Sequence, residues 1–591
     1  MTPARWRLAA TGLGGLLALL AWPGIGHALA LHDTTPSHTP EEAARADALL
    51  RDVEKRLPAP WRDALGDVPV QWRDDLPATV HGRAFAGGIR LRRSLLHDTG
   101  DRPALAALIH ELAHLYDRSA AQPMSRDPRL LALAGWKDAP LRPWRTRNAF
   151  TDRSPDLYEM ESPREYVAVN LEHYLLDPDY ACRRPALFAY FSEALGATPP
   201  HPSCPADIAF VQAAADAATS LLQLDPALVH AIDYLFAEGN DAPMSRWGHA
   251  MLRVVACAPG RAPGRDCRLD LGEHLVLSFR AFVDDVQVSN WRGLTGAYPS
   301  RLFALPLSQV VAEYTEVELR GLQSIPLDLA PGEIAALLQR AAQVHWSYDG
   351  RYGFVGNNCA VETARLLQSG VPRLAGLPLM SVTPTGLLRR LQRTGVADAS
   401  VLANPGEATR LGYYFEPADA HQQALYAVAR DALQLPWPDV DTWLSLPARE
   451  RSTRSEGADL RTTAALLLLE QLGQRRIEAE ARAALKQRLR APRRAAAREL
   501  LALEGLLTRP ALLVEGAGYG LPQRAEIEQL SARSSALQAQ WQQERSKLLA
   551  LARTWLPPPL QAELAATEAH LQALGTRLRT LEQALGPEEG R

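Results

Sequence analysis

The chain has 591 residues, of which 47% are hydrophobic and 22% charged, with a formal net charge of −3. That length provides for two or three globular domains. The near-neutral balance gives no footing for nucleic-acid binding, which needs a basic surface. At the start, Arg5 and Arg7 precede an apolar stretch from Leu8 to Trp22, and Ala28-Leu29-Ala30 follows. A basic start, an apolar centre and a small-x-small end predict a secretory signal over residues 1–30. The apolar run is too short for an anchor and is broken by Pro23 and Gly24. No cysteine follows the cleavage point, so lipoprotein processing is not expected. No later segment has the roughly 18 unbroken apolar residues of a membrane span. The mature chain is expected to be periplasmic and soluble, with any membrane contact peripheral.

Residues 40–235 read as mainly helical. Within them, His110-Glu111-Leu112-Ala113-His114 lies in the apolar run Leu105–Tyr116. On a helix, positions i and i+4 share a face, so His110 and His114 can reach one zinc ion. Glu111 lies beside them, placed to take a proton from bound water. A third ligand is sought in the segment from Glu159 to His173. Ser162 and Pro163 mark a helix start there, and Ser162 with Glu165 has the spacing of a capping box. Glu165 therefore has two readings, cap or ligand, and Glu161, Glu172 and His173 are alternatives.

The residues His110–His114 and Glu165–Ala168 resemble the gluzincin metallopeptidases, in which a HExxH helix is followed by a helix bearing a Glu-x-x-Ala ligand. The resemblance implies a zincin-like domain with Zn2+ on His110, His114 and Glu165 and with Glu111 as the base.

From about 240 to 400 the character changes to short β-rich runs, such as Ala250–Ala256 and Leu275–Phe279, followed by helices. The chain has five cysteines. Cys182 and Cys204 bracket a Pro-rich segment, and Cys257 and Cys267 bracket a Gly/Pro loop, so two local disulfides are expected in an oxidising compartment. Cys359 is left over. Asn358 is a good N-cap and Gly370 a good C-cap, which puts Cys359 in the first turn of a helix. There the amide dipoles favour thiolate. A nucleophile needs a base, and His249 and His274 each open a probable strand.

Trp247-Gly248-His249-Ala250 and Asn357-Asn358-Cys359-Ala360 resemble the periplasmic domain of the lipoprotein N-acyltransferase Lnb family. More broadly, the order of His before Cys resembles the circularly permuted papain-like fold of lecithin:retinol acyltransferase relatives. The resemblance implies Cys359 as nucleophile, His249 as base and His274 as the group that orients it. It also implies acyl transfer through a thioester to a lipoprotein or peptide amine in the cell envelope.

Residues 401–520 read as helical. Ile527, Leu530, Leu537, Trp541, Leu548 and Leu551 follow 3-4 spacing, Pro557–Pro559 interrupts, and Leu571, Leu574, Leu578, Leu581 and Leu585 resume it. The pattern predicts an antiparallel coiled-coil hairpin over 524–586, able to pair within the chain or to dimerise. The whole chain is thus expected to be an α+β multidomain protein: a helical zincin-like domain (40–235), a permuted papain-like α+β domain (240–400), and a helical C-terminal region. Three readings follow. Both sites are enzymatic, or only the zinc site is and the papain-like domain binds substrate, or the chain is a non-enzymatic envelope scaffold.

Overall fold

The computed structural model describes residues 29–85, 87–137, 147–148, 154–211, 221–240, 246–281, 298–347, 350–353, 356–488 and 518–585. The expected signal lies almost wholly outside them. Two units are distinguished, Met1–Ala121 with Leu195–Ala197, and Gln122–Ala194 with Thr198–Arg591.

The first unit carries a four-stranded sheet: β1 (Ala30–Asp33), β2 (Asp67–Arg73), β3 (Gly82–Phe85) and β4 (Gly88–Arg92), in the order β1-β2-β4-β3. β1/β2 and β2/β4 are parallel, β3/β4 antiparallel. Helices still predominate over residues 40–235, as expected, and the sheet is the feature not expected there. In β2, Val68, Val70 and Trp72 are buried and alternate with more exposed neighbours, the period-2 pattern of a half-covered strand. Helix α1 (Pro40–Arg56) starts at a complete Thr39/Glu42 capping box. Helix α2 (Arg102–Ser119) buries Leu105, Leu108, Ile109 and Leu112 along one stripe. Trp61 stacks on its Tyr116, with ring centroids 5.1 Å apart.

In the second unit, α3 (Pro163–Leu176) is followed by the disulfide Cys182–Cys204. A buried cluster holds this region: Arg184 makes a bidentate pair with Glu159 at 2.8 and 2.9 Å, and Asn170 bonds to both. The chain returns here much later. Arg183 donates to Tyr519 O and to Glu526, Leu521 N donates to Arg183 O, and the Tyr519 hydroxyl donates to Asp177.

The centre of this unit is a seven-stranded antiparallel sheet. Its strands are β5 (Val229–Ala237), β6 (His249–Ala256), β7 (Leu275–Ala281), β8 (Tyr298–Pro306), β9 (Leu322–Pro326), β10 (Gly350–Tyr352) and β11 (Tyr414–Phe415). The order is β10-β8-β7-β6-β5-β9-β11. Strand β5 lies before residue 240, so the sheet begins upstream of the expected domain boundary. Ala250, Leu252 and Val254 of β6 face helices α4 (Pro331–Ser347) and α5 (Cys359–Gly370) across one apolar core. Met251, with Leu235, Val276 and Tyr314, forms the core on the other face. Both expected disulfides are present, the second being Cys257–Cys267, and Cys359 is a buried free thiol.

Gly370 is not the expected C-cap. It is the last helical residue, and Val371 caps with extended backbone. A Cβ at Gly370 would lie 2.8 Å from Leu337 Cδ1 and 3.1 Å from Leu337 Cα, so glycine there lets α5 approach α4.

The C-terminal helices are α6 (Pro384–Arg393), α7 (Leu460–Arg488), α8 (Arg524–Thr554) and α9 (Pro558–Leu585). The two hairpin helices exist, but their packing differs from the expected mutual seam. Leu574 of α9 packs with Leu466 and Leu469 of α7, and Leu564 with Ile477 and Ala481. Ile527 and Leu530 at the start of α8 enter the core of the seven-stranded domain. An Arg553–Glu568 ion pair joins α8 to α9. The side chains of Leu537, Trp541 and Leu548 lie outside the described residues. An apolar stripe states that a face is buried, not which helix buries it.

Candidate functional site

Each half of the thiol site is built by local rules. Asn358 takes extended backbone, and its Oδ1 accepts from Ala360 N at 3.0 Å and Val361 N at 3.2 Å, so α5 begins at Cys359 as expected. Asn358 Nδ2 donates to Val382 O at 2.7 Å, which ties the helix start to the loop before α6. On the strand side, Gly248 has φ +80°. A Cβ there would lie 2.4 Å from Ala237 O and 2.5 Å from the Phe236 ring. Only glycine fits a turn this close to its neighbour, which explains the glycine before His249.

Cys359 is 5% exposed, against the Ala250 face of the sheet. Burial pushes its thiol pKa up, although the N–H groups of Ala250 and Ala360 and the Tyr352 hydroxyl all act on the sulfur in the opposite sense. The expected lowering by the helix terminus is therefore outweighed by desolvation. Tyr352 is itself raised, first by burial and then by Cys359, and stays protonated.

His249 stacks on Tyr314, with centroids 6.2 Å apart, and its Nε2 is 3.0 Å from Ser278 Oγ. Burial, with Arg280 and Arg320 nearby, draws its pKa down to about 3, so the imidazole is neutral at neutral pH. Among the described residues no hydrogen bond joins His249 to Cys359. They meet through the chain: the amide directed at the sulfur belongs to Ala250, the next residue.

His274 does not orient His249. Its Nδ1 accepts from Arg253 Nη2 at 2.8 Å and its Nε2 contacts Cys267 O at 2.9 Å. The register explains this: β6 and β7 are antiparallel with Leu252 opposite Leu277, so His274 lies at the far end of β6 from His249. Ser278 holds the expected position instead. It was legible as the one polar residue in Leu275-Val276-Leu277-Ser278-Phe279. Tyr352 carried no signal, because only the sheet brings β10 to the start of α5.

In the first unit, the Nε2 atoms of His110 and His114 are 3.2 Å apart on one face of α2. Two nitrogens each about 2.0–2.1 Å from a tetrahedral zinc would have about this separation. Glu111 is 6% exposed and lies under β3, where a Cβ on Gly82 would come within 2.9 Å of Glu111 Oε1. Gly82 thus leaves the carboxylate its space. Glu165 is in the second unit, in the first turn of α3, where Ser162 Oγ accepts from its backbone N at 3.2 Å. The serine half of the expected capping box is present. Of the alternatives, Glu161 is exposed and His173 packs on Tyr519 at 5.2 Å.

Residues 216–394 match the Lnb N-terminal periplasmic domain. The Lnb-like segment spans the sheet from β5 to α6 and includes His249, Ser278, Tyr352 and Cys359. Residues 29–125 and 120–204 match a domain of unknown function (DUF7844). No curated protein and no solved structure matches the chain. The match to a periplasmic domain and the two disulfides support a periplasmic location. Among the described residues no helix is long and apolar enough to cross a membrane.

Proposed function

We propose that the Lnb-like domain is a cysteine-dependent acyl-transfer or hydrolysis site, with a permuted papain-like arrangement and Cys359 as its nucleophile. The observation that carries this reading is the convergence of donors on one thiol. Cys359 starts an Asn-capped helix, and the Ala250 and Ala360 amides and the Tyr352 hydroxyl act on its sulfur. The same donors suit the negative charge that develops when a carbonyl is attacked. His249 is the base, held by Ser278 and neutral at working pH. It takes the Sγ proton as sulfur bonds to the acyl carbon, and returns it to the oxygen or nitrogen that leaves. An amine of a lipoprotein or peptide, or water, then cleaves the thioester and restores the thiol. Catalytic hydrogen bonds that are long or absent at rest tighten when substrate binds.

Incubation with a long-chain acyl ester, followed by mass spectrometry, should find one hydroxylamine-labile acyl group on Cys359. His249→Ala should lower its formation by about two orders of magnitude or more, and Cys359→Ser should abolish the labile adduct. A folded, disulfide-intact protein that never acylates at Cys359 would sink the proposal.

A second reading rests on the His110–His114 separation. We propose that these residues hold one zinc ion, and that the buried Glu111 accepts and releases a proton beside it. When bound, the ion would supply Lewis-acid polarisation of a carbonyl or a water. Purified full-length protein should contain about one zinc per chain. His114→Ala should remove it, while Glu111→Gln should keep it. Protein that is metal-free after purification without chelator would refute the site.

A further inference from the structure

Of the ten large apolar side chains exposed among the described residues of the second unit, five lie near the thiol site in sequence or contact; the others are Leu157, Tyr158, Leu269, Leu271 and Leu468. Trp247 (56% exposed) is two residues before His249. Val317 (65%) and Leu319 follow Tyr314, whose ring stacks on His249. Arg320, next in the chain, bonds to Ala237 O, which also abuts Gly248. Met380 and Val382 (54%) lie in the loop whose Val382 carbonyl accepts from Asn358, the cap beside Cys359. These contacts place Trp247, Val317 and Leu319 beside His249, and Met380 and Val382 beside the cap of the Cys359 helix. Isolated exposed apolar residues are ordinary, but five around one site mark an interaction surface.

Charge selects the occupant. Arg246 precedes Trp247 and is exposed, and Arg389 and Arg393 are exposed on α6, directly after the Met380–Val382 loop. No acidic residue occurs between Gly376 and Ala397, nor between Pro243 and Ala256. The acidic turn at 313–318 is neutralised: Glu313 pairs with Arg280 at 3.0 Å, Glu316 with Arg475 and Glu318 with Arg320. An apolar rim containing a tryptophan and flanked by arginines suits an anionic bilayer surface, where indole sits at the headgroups and guanidinium pairs with phosphate.

We propose that Trp247, Val317, Leu319, Met380 and Val382 form a membrane-docking rim that seats the Cys359 site on an anionic lipid surface. The proposal deepens the acyl-transfer reading and rests on it for its purpose, though not for its test. Full-length protein is sedimented with vesicles of phosphatidylcholine alone, and of phosphatidylcholine mixed with phosphatidylglycerol. Binding to the mixed vesicles is expected, and added salt should weaken it. Trp247→Glu with Val317→Glu should reduce partitioning by about tenfold or more. Arg246→Gln and Arg389→Gln should each cost about fivefold on anionic vesicles alone. Alkylation of Cys359 in the rim variant should match wild type, which establishes that the fold and thiol site are intact. Cys359→Ser should still sediment, so failure of acylation with retained binding removes the acyl reading and leaves the rim. No sedimentation of wild type with either vesicle, or equal sedimentation of the rim variant, overturns the rim.

Discussion

Alkylation of Cys359 at pH 7 is expected to be slower than that of an exposed thiol, and its rate should climb as pH rises past the free-cysteine value of about 8.5. The other four cysteines are in disulfides, so an iodoacetamide time course reads this thiol alone. The direction follows from a competition at the sulfur. Burial opposes the thiolate most strongly, and the Ala250 and Ala360 amides and the Tyr352 hydroxyl only partly offset it. Below the raised value the thiol is neutral and unreactive; above it the thiolate accumulates, so the profile should shift toward alkaline pH. Tyr352→Phe removes a donor and should slow alkylation further. His249→Ala should change the rate little at rest, because no hydrogen bond joins it to Cys359. With His249 drawn to about 3 and the thiol above its ordinary value, a resting thiolate–imidazolium pair is disfavoured, each pH unit of mismatch costing about 1.4 kcal/mol. A rate at pH 7 equal to that of free cysteine, falling in His249→Ala, would show that the ion pair forms after all.

Acidification from pH 7 to 5 should destabilise the Lnb-like domain by roughly 3 kcal/mol, read from urea unfolding. Two histidines drive this. His249 is drawn down to about 3 by burial, with Arg280 and Arg320 adding to it. His274 is drawn to about 4, first by burial and then by Arg253, whose Nη2 donates to its Nδ1. In the unfolded chain each returns to about 6.5. Between the folded and unfolded values the unfolded state binds more protons, so stability rises with pH and is lost as pH falls below about 6.5. Asp233 works in a lower window. Burial raises its pKa, but the bonds and charge of Arg268 outweigh that and leave it lowered, so its contribution is lost only below the ordinary carboxylate range. Replacing His249 and His274 together by Gln should flatten the slope between pH 6.5 and 5. A slope unchanged in that double variant would mean that other groups carry it.

What the sequence disclosed was local. The Asn358 cap, the i,i+4 histidines, the two short disulfide loops and the odd cysteine each depend on residues within one turn or one loop. What it hid was partnership at a distance. His274 looks like His249 in sequence, each opening a strand, and only the antiparallel register sends one to Ser278 and the other to Arg253. The sheet of the first unit was readable in Val68, Val70 and Trp72, but β1/β2 and β2/β4 pair in parallel across distant segments, and only β3/β4 is a local hairpin. Gly370 seemed a cap because glycine has two uses, and only the proximity of Leu337 shows which one applies. Leu574 displayed its stripe plainly; that it faces Leu466 rather than α8 was set by a helix about a hundred residues earlier.

The return of the chain at Tyr519 bears on how such a protein is made. Arg183 and the Tyr519 carbonyl it contacts are separated by 336 residues, so the helical segment around Asp177 and Arg183 is synthesised long before its covering piece. Until residues 518–526 arrive, Asp177 lacks its tyrosine and Arg183 lacks Glu526. A chain cut short before residue 518 would therefore leave this early segment uncovered, however well the rest of it had folded.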